Sequence, residues 1–330
     1  MEKWKELDGS NVNVTHLTNR PVSYAQIPPS NPDQIVYAQG TELILAERQK
    51  LLTEDRKMAF VGHRLDISCL DIYESYCVTG SKDRQMILWD LKTTNASLST
   101  RQRLASHDNV HQRLVTCVKF LHMPSTDGGA VFIVSTSRDR TLKLWNVVNL
   151  GCGGTDIQLQ QTIGGPSPKN FTTQTHSKSI WGLDVCGLHV ATASADGSLK
   201  VWRLPQCVYL CLDSGKLLTP NTSAGPSTTK EPKFKHVRDN KKRKRSGLQA
   251  KDEVDNSPSS KALEFCANFY NQTPVRHCKF LKKKDSESPQ FLVSGDLLGD
   301  LNVWNVGTGQ LQYQVEDPMK ARLVFVHFYM

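Results

Sequence analysis

The sequence predicts an all-β chain made of a repeated antiparallel meander, and two observations carry that prediction. The first is the stretch from His176 to Trp202. A loop His is followed by an alternating apolar run (Ile180 to Val185), a second run (His189 to Ser194), a tight Ala195-Asp196-Gly197 turn and a third run ending on Trp202. Alternation with a period of two puts every other side chain on one face of a strand, and an Asp-Gly turn joins two such runs as antiparallel neighbours. The second is that the same order occurs twice more, as Gly62-His63, Ser81-Lys82-Asp83-Arg84 and Trp89-Asp90, then as His107, Ser137-Arg138-Asp139-Arg140 and Trp145-Asn146. In all three copies an Asp stands six residues before the Trp and a Ser two before the Asp. One meander cannot bury both its faces, so the copies must stack on each other.

Taken in order, residues 1–11 read as a loose tail and 12–218 as four repeats. In the first, Gln34 to Gln39, Gly40, then Thr41 to Ala46 reads as strand, turn and strand without the full signature, as terminal repeats often do. The second, about 56–98, is the most compact; the third, about 101–163, carries extra length at His122 to Gly129, a run of turn formers. The fourth, about 175–218, offers Cys207 to Cys211 as an outer strand. From 219 to 261 the chain turns to Ser, Thr, Pro, Asn and Lys with no periodicity, which reads as a disordered insertion between repeats. A fifth repeat occupies 262–330 together with a final apolar run, Leu323 to Tyr329, expected to be the first strand of a sixth. In the fifth, Leu298 holds the place six before Trp304 and no Gly-His precedes Pro274 to Phe280, leaving its polar contacts in question.

These signatures resemble the WD-repeat family, whose Gly-His and Trp-Asp marks punctuate the blades of a β-propeller. The resemblance implies an all-β propeller of about five blades plus the first strand of a sixth, an incomplete or truncated form of a seven-bladed ring. It also implies one buried hydrogen-bond chain per blade, in which Trp donates to Ser, Ser to His, and His to the turn Asp. The sets would be Trp89, Ser81, His63 and Asp83; Trp145, Ser137, His107 and Asp139; Trp202, Ser194, His176 and Asp196. A Ser-His-Asp trio also suggests hydrolysis, but a catalytic set is needed once, these recur three times, and no G-x-S-x-G elbow accompanies them.

Composition narrows the function classes. With 330 residues and 38% hydrophobic content the chain can bury a core without staples. No run approaches a membrane span of about 18 apolar residues, and the polar start MEKWKELDGSN does not read as a signal peptide, so no membrane partner is expected. The nine cysteines are odd in number and sit mostly in strand-like runs, as small apolar residues in a reducing compartment do. No Cys/His spacing suits a metal, and Gly151 to Gly154 lacks the helix and Lys-Ser/Thr of a phosphate loop, so neither metal nor cofactor is expected.

Charge is local. Of a net +9, the segment 228–251 carries ten Lys and Arg against two acids, a net of +8. Within it Lys241, Lys242, Arg243, Lys244 and Arg245 run consecutively, a pattern that suits an import receptor's acidic groove. Aromatic residues that could stack on bases are nearly absent there, so nucleic acid is expected to bind weakly if at all. Partner proteins or peptides are expected on the loops beside the His and turn Asp, where Arg64, Asp66, Lys82, Arg138, Trp181 and Arg276 stand. The function expected is a non-catalytic scaffold in a nuclear or nucleolar multiprotein complex, present also in the cytoplasm. The alternative is a substrate receptor of a cullin-RING ubiquitin ligase, of F-box or cullin-4 type. No F-box helix precedes the first repeat, and Trp89-Asp90 is followed by Leu91-Lys92 where cullin-4 receptors carry an Arg.

Overall fold

The computed structural model describes residues 22–48, 57–92, 103–123, 130–150, 153–165, 172–204, 263–281 and 288–316. They form five four-stranded antiparallel sheets, each a simple meander. Blade 1 holds β1 (Tyr24–Gln26), β2 (Gln34–Gln39), β3 (Glu42–Glu47) and β4 (Lys57–Val61). Blade 2 holds β5 (Ile67–Tyr73), β6 (Tyr76–Ser81), β7 (Met86–Asp90) and β8 (Arg103–His107). Blade 3 holds β9 (Val115–Met123), β10 (Ala130–Ser137), β11 (Thr141–Val148) and β12 (Asp156–Gly164). Blade 4 holds β13 (Ile180–Cys186), β14 (His189–Ser194), β15 (Ser198–Arg203) and β16 (Glu264–Tyr270). Blade 5 holds β17 (Val275–Leu281), β18 (Phe291–Asp296), β19 (Leu301–Asn305) and β20 (Leu311–Val315).

The middle strands bury both faces, and the core lies between successive sheets rather than within any one. Leu43, Leu45 and Phe60 of blade 1 meet Ile67, Ile87 and Trp89 of blade 2. Val78 and Leu88 of blade 2 meet Val118, Ile133 and Trp145 of blade 3. Phe132 and Leu144 pack on Ile180, Val190 and Trp202, and Ala191 and Val201 on Val275, Leu292 and Trp304. Apolar area removed from water is worth roughly 25 cal/mol per Å², so each blade depends on its neighbour for most of its stability.

Polar contacts set the stagger between blades. Asp71 of β5 takes the Phe120 N–H at 2.8 Å and the Lys119 ammonium at 2.8 Å. Asp184 of β13 repeats this on Phe280 N–H (2.8 Å) and Lys279 (3.0 Å). The inner strands of blades 2 to 5 thus carry Asp, Lys, Asp, Lys in turn, and each acid clasps the backbone of the next blade. Burial works to lower the Lys119 pKa, but the Asp71 charge and hydrogen bond, with the Tyr24 and Asp184 charges, together outweigh it and hold the pKa above the ordinary lysine value.

Blade boundaries differ from the sequence expectation. Residues 57–61 complete blade 1, and 103–107 complete blade 2. Glu264–Tyr270 is the outer strand of blade 4, with Trp202 opposite Phe265 and their rings 5.3 Å apart. The long insertion therefore lies inside blade 4, between its third and fourth strands, and not between blades. A strand that follows a long linker looks in sequence like the start of a new unit, but unpaired N–H and C=O groups on the edge of β15 decide where it pairs. Cys207–Cys211, the basic run at 241–245 and the apolar run at 323–329 lie outside the described residues.

Candidate interaction face

The loops between inner and outer strands gather at one end of the blades, and a hydrogen-bond chain fixes them there. In blade 2 the Trp89 indole N–H donates to Thr79 Oγ1 at 2.9 Å, Thr79 Oγ1 lies 2.7 Å from His63 Nε2, and His63 Nδ1 lies 3.1 Å from Asp83 Oδ2. Because Nδ1–H must donate to the carboxylate, Nε2 is the acceptor for the threonine. Asp83 also accepts the N–H of Arg64 and of Gln85, each at 2.8 Å. The carboxylate thus ties its own turn to the loop ahead of the inner strand.

The hydroxyl in this chain is Thr79, not Ser81. Ser81 is turned to the loop, donating to the carbonyls of Leu65 and Asp66 and accepting the Asp83 N–H. Both residues face the same side of β6, so alternation does not separate them. In blade 4 Trp202 donates to Thr192 at 3.4 Å, and Thr192 lies 2.8 Å from His176, whose Nδ1 is 3.3 Å from Asp196; Ser194, like Ser81, holds loop carbonyls. In blade 3 Trp145 donates to Ser135 at 2.9 Å, and His111, not His107, lies 2.8 Å from Ser135. Thr141 bridges His111 to Asp139, while Ser137 holds the Arg113 and Leu114 carbonyls. His107 is on β8, its ring 4.9 Å from that of Trp145.

Blade 5 has a variant of the same chain. Trp304 donates to Ser294 at 3.0 Å, and Asn271 Nδ2 donates to Ser294 at 3.3 Å in the place of a His. Its turn acid is Asp296, which accepts the Thr273 hydroxyl and the N–H groups of Leu298 and Asp300. Two counts find every hydroxyl and every His or Asn of these chains. A Ser or Thr stands ten before each of the four Trp, and His63, His111, His176 and Asn271 each stand four before an inner strand. No fixed count back from Asp finds His111, because His111 and Asp139 are 28 residues apart whereas His63 and Asp83, and His176 and Asp196, are 20 apart.

Lysines were missed as well. Lys200 is buried, and its ammonium donates to the Thr173 carbonyl at 2.8 Å and to Asn268 Oδ1 at 3.2 Å. Lys143 donates to the Val110 carbonyl at 2.6 Å. Those carbonyls belong to the loops that carry His176 and His111, so each ammonium pins a His loop from below. Burial holds both lysines below the usual range.

Burial also keeps His63, His111 and His176 below the ordinary histidine value, against the pull of their Asp partners. For Asp83, Asp139 and Asp196 burial pushes the other way, yet the N–H and His donors prevail and hold the carboxyls low. The groups form neutral His and ionised Asp, all consumed by one another. Thr79, Thr192 and Ser135 are fully buried, so these Ser/Thr–His–Asp trios offer no hydroxyl to a substrate.

What the face presents is set by a second device. Each inner strand of blades 2 to 5 has a register shift near its start, opposite the last residues of its neighbour. The residues at those irregularities, Ser68, Thr116, Trp181 and Arg276, all line the mouth of a central channel with a cavity volume of about 1240 Å³. A bulge re-aims a side chain without breaking the sheet. Ser68 and Thr116 spend their hydroxyls within the fold, on the Val115 carbonyl and on Thr136. Trp181 is partly exposed, whereas Trp89, Trp145, Trp202 and Trp304 are buried.

Lys82 and Arg138, each beside a turn Asp, line the same mouth. Lys82 pairs with Asp66 at 2.7 Å, with both side chains about half exposed (52% and 53%). Arg64 and Arg138 are exposed. Among the described residues no group of three or more His, Cys, Asp or Glu could hold a metal ion, and no helix is long and apolar enough to cross a membrane.

The family model described as WD domain, G-beta repeat matches residues 55–90, 100–146 and 168–203. Three WD repeats lie in this chain. The first two matches each take in the outer strand of one blade and end on the third strand of the next, so a WD repeat and a blade are offset by one strand. Similar proteins include Mitochondrial division protein 1 of Saccharomyces cerevisiae, 27% identical over 157 residues, which are 43% of this chain and 22% of that protein. The protein of the same name from Schizosaccharomyces pombe is 26% identical over 156 residues (43% and 23%). Nuclear distribution protein PAC1 of Saccharomyces cerevisiae is 25% identical over 172 residues (46% and 32%). The matched stretch spans less than a third of each relative. WD repeats generally serve as scaffolds that bind other proteins.

Proposed function

We propose that this WD-repeat chain is a non-catalytic scaffold in a nuclear or nucleolar multiprotein assembly. Its loop face engages partner proteins through Arg64, Asp66, Lys82, Arg138, Trp181 and Arg276, and residues 241–245 engage an import receptor. The observation that supports the partner face most is the set of bulges and Asp ties that hold Trp181, Arg138 and Arg276 at one channel mouth. Rigid aromatic and Arg side chains are the usual energetic anchors of interfaces.

A second observation favours a division of labour. β15 ends at Arg203 opposite Glu264 of β16, and both lie at the end of blade 4 away from the His and Asp loops. The insertion that carries the basic run is thus anchored opposite the partner face, and import and partner binding need not compete.

The test is localisation of the fluorescently tagged chain and of a variant with residues 241–245 replaced by alanine. A nuclear intact chain and a cytoplasmic variant support the proposal. Equal distribution of the two refutes the import role, and co-purification of both with cullins and their adaptors replaces the scaffold with a ligase receptor.

A further inference from the structure

We propose that β20, the free edge of blade 5, pairs antiparallel with β20 of a second copy of this chain. Leu292 and Trp304 turn one face of the blade to blade 4, where they pack with Ala191 and Val201. No further sheet follows blade 5 among the described residues. Val303 lies opposite Tyr313 and Leu301 opposite Val315, so these four side chains share the face turned away from blade 4. Tyr313 is 69% and Val315 59% exposed. Every residue of β20 is exposed, which holds for none of the other four outer strands.

The backbone of this edge is open as well. Asn305 donates its N–H to the Gln310 carbonyl at 2.9 Å, so alternation along β19 turns the peptide groups of Val303 and Leu301 toward β20 too. Their partners Tyr313 and Val315 are thereby bonded inward, and the N–H and C=O of Gln314 between them point out from the sheet. Charged side chains are a usual means of blunting such an edge. Here β4 carries Lys57, β8 Arg103, β12 Asp156 and β16 Glu264, whereas β20, LQYQV, carries no charge.

Self-complementarity selects a second copy as the occupant. A two-fold axis makes the residue on it meet itself, which a charged side chain resists and an amide, both donor and acceptor, does not. With the axis at Gln314, its outward N–H and C=O are exchanged with those of its mate. Tyr313 of each copy then faces Val315 of the other, and Gln312 faces Glu316, an amide donor for a carboxylate. The apolar face of Leu301, Val303, Tyr313 and Val315 continues into the second copy, and the two blades become one sheet. A contact of one short strand per copy is small, so the dimer is weak, with a dissociation constant on the order of tens of micromolar.

The experiment is sedimentation velocity of the full chain from about 2 to about 200 µM, with hydrogen exchange of the Gln314 amide followed at both ends of the range. The expected result is a shift from monomer to dimer, with exchange of that amide slowing about tenfold or more as the dimer forms. Gln314→Pro removes only an outward N–H and should abolish the dimer while leaving the urea midpoint near that of the intact chain. Gln314→Asp sets two carboxylates on the axis and should weaken the dimer about tenfold or more at low salt, and less with added salt. Gln314→Cys should cross-link to its own mate on mild oxidation, above the level set in the intact chain by the exposed Cys266.

A monomer throughout the range overturns the proposal. So does a dimer that survives both Gln314→Pro and Gln314→Asp, because its interface then lies elsewhere. A Gln314 amide that already exchanges slowly in the dilute monomer shows that another part of the same chain covers the edge, which overturns the second copy as its occupant. Growth into larger species in place of a dimer shows a contact without the two-fold and overturns it equally.

Discussion

Replacing Thr79 with valine tests the hydrogen-bond chain at its centre. Valine keeps the branched shape and nearly the volume, so no cavity opens, but the hydroxyl that joins Trp89 Nε1 (2.9 Å) to His63 Nε2 (2.7 Å) is gone. Thr79 and Trp89 are fully buried and His63 nearly so, and water cannot substitute. A buried polar group left unsatisfied costs about 1–3 kcal/mol, so the two together cost roughly 2–6, with about 3 kcal/mol as the working figure. For a domain of this size that lowers the Tm by about 6–12 °C. Urea unfolding of the full chain, read by tryptophan fluorescence, measures it. A double-mutant cycle then identifies the partner: Trp89→Phe removes the donor along with part of the ring, the cycle cancels the lost packing, and its coupling to Thr79→Val should be about 1 kcal/mol or more. Coupling to Ser81→Ala should stay within about 0.5 kcal/mol, because Ser81 bonds the loop carbonyls instead. A stronger coupling of Trp89 to Ser81 than to Thr79 would refute the assignment.

Acid should unfold the chain early. The folded state keeps His63, His111 and His176 neutral, while the unfolded chain protonates them near pH 6.5, so stability is full above about pH 6.5 and falls below it. The depressed Asp83, Asp139 and Asp196 add a further loss below about pH 4; a Tm constant from pH 8 to 5 contradicts this. Asp184→Ala should expose the Phe280 amide and speed its hydrogen exchange by at least tenfold, with amides of β6 and β7 far less affected; uniform change across the blades would mean the clasp is not local. Lys200→Met should cost about 2 kcal/mol by releasing the Thr173 carbonyl, measured by urea unfolding, and no loss would mean the ammonium does not pin the loop. Arg84 (φ 69°) and Arg140 (φ 73°) sit in left-handed turns where blade 4 has Gly197 (φ 83°), so Arg84→Gly should be neutral or stabilise by up to about 1 kcal/mol; clear destabilisation would show that the side chain contributes more than the turn costs.

The fold was legible because its punctuation is covalent in origin. Alternating strands, Asp-centred turns and a Trp at fixed distance follow from the pleat and from turn geometry, and they placed β13 to β15 and the Asp turns that lead into β7 and β11. Outer strands were harder, since β4, β8 and β16 follow long connections and carry no signature of their own; pairing energy, not pattern, assigns them. Within the site, His63, Asp83, Trp89 and their blade 4 counterparts were readable from spacing. Thr79 was not, because a strand's period of two gives Thr79 and Ser81 the same face. His111 was hidden by His107 four residues earlier, and Asp296 by a turn two residues longer than the others. The clasping acids Asp71 and Asp184 look in sequence like ordinary interruptions of an apolar run, and their role exists only once two blades are side by side.

Proximity labelling in cells tests the central claim most directly, with three versions of the chain: intact, residues 241–245 replaced by alanine, and Arg138→Glu with Trp181→Ala. The account predicts that the intact chain labels a defined set of nuclear or nucleolar proteins, that the basic-run variant loses them with its location, and that the mouth variant stays nuclear but loses its direct partners. Identical labelling by all three, or a set dominated by cullins and their adaptors, would contradict it.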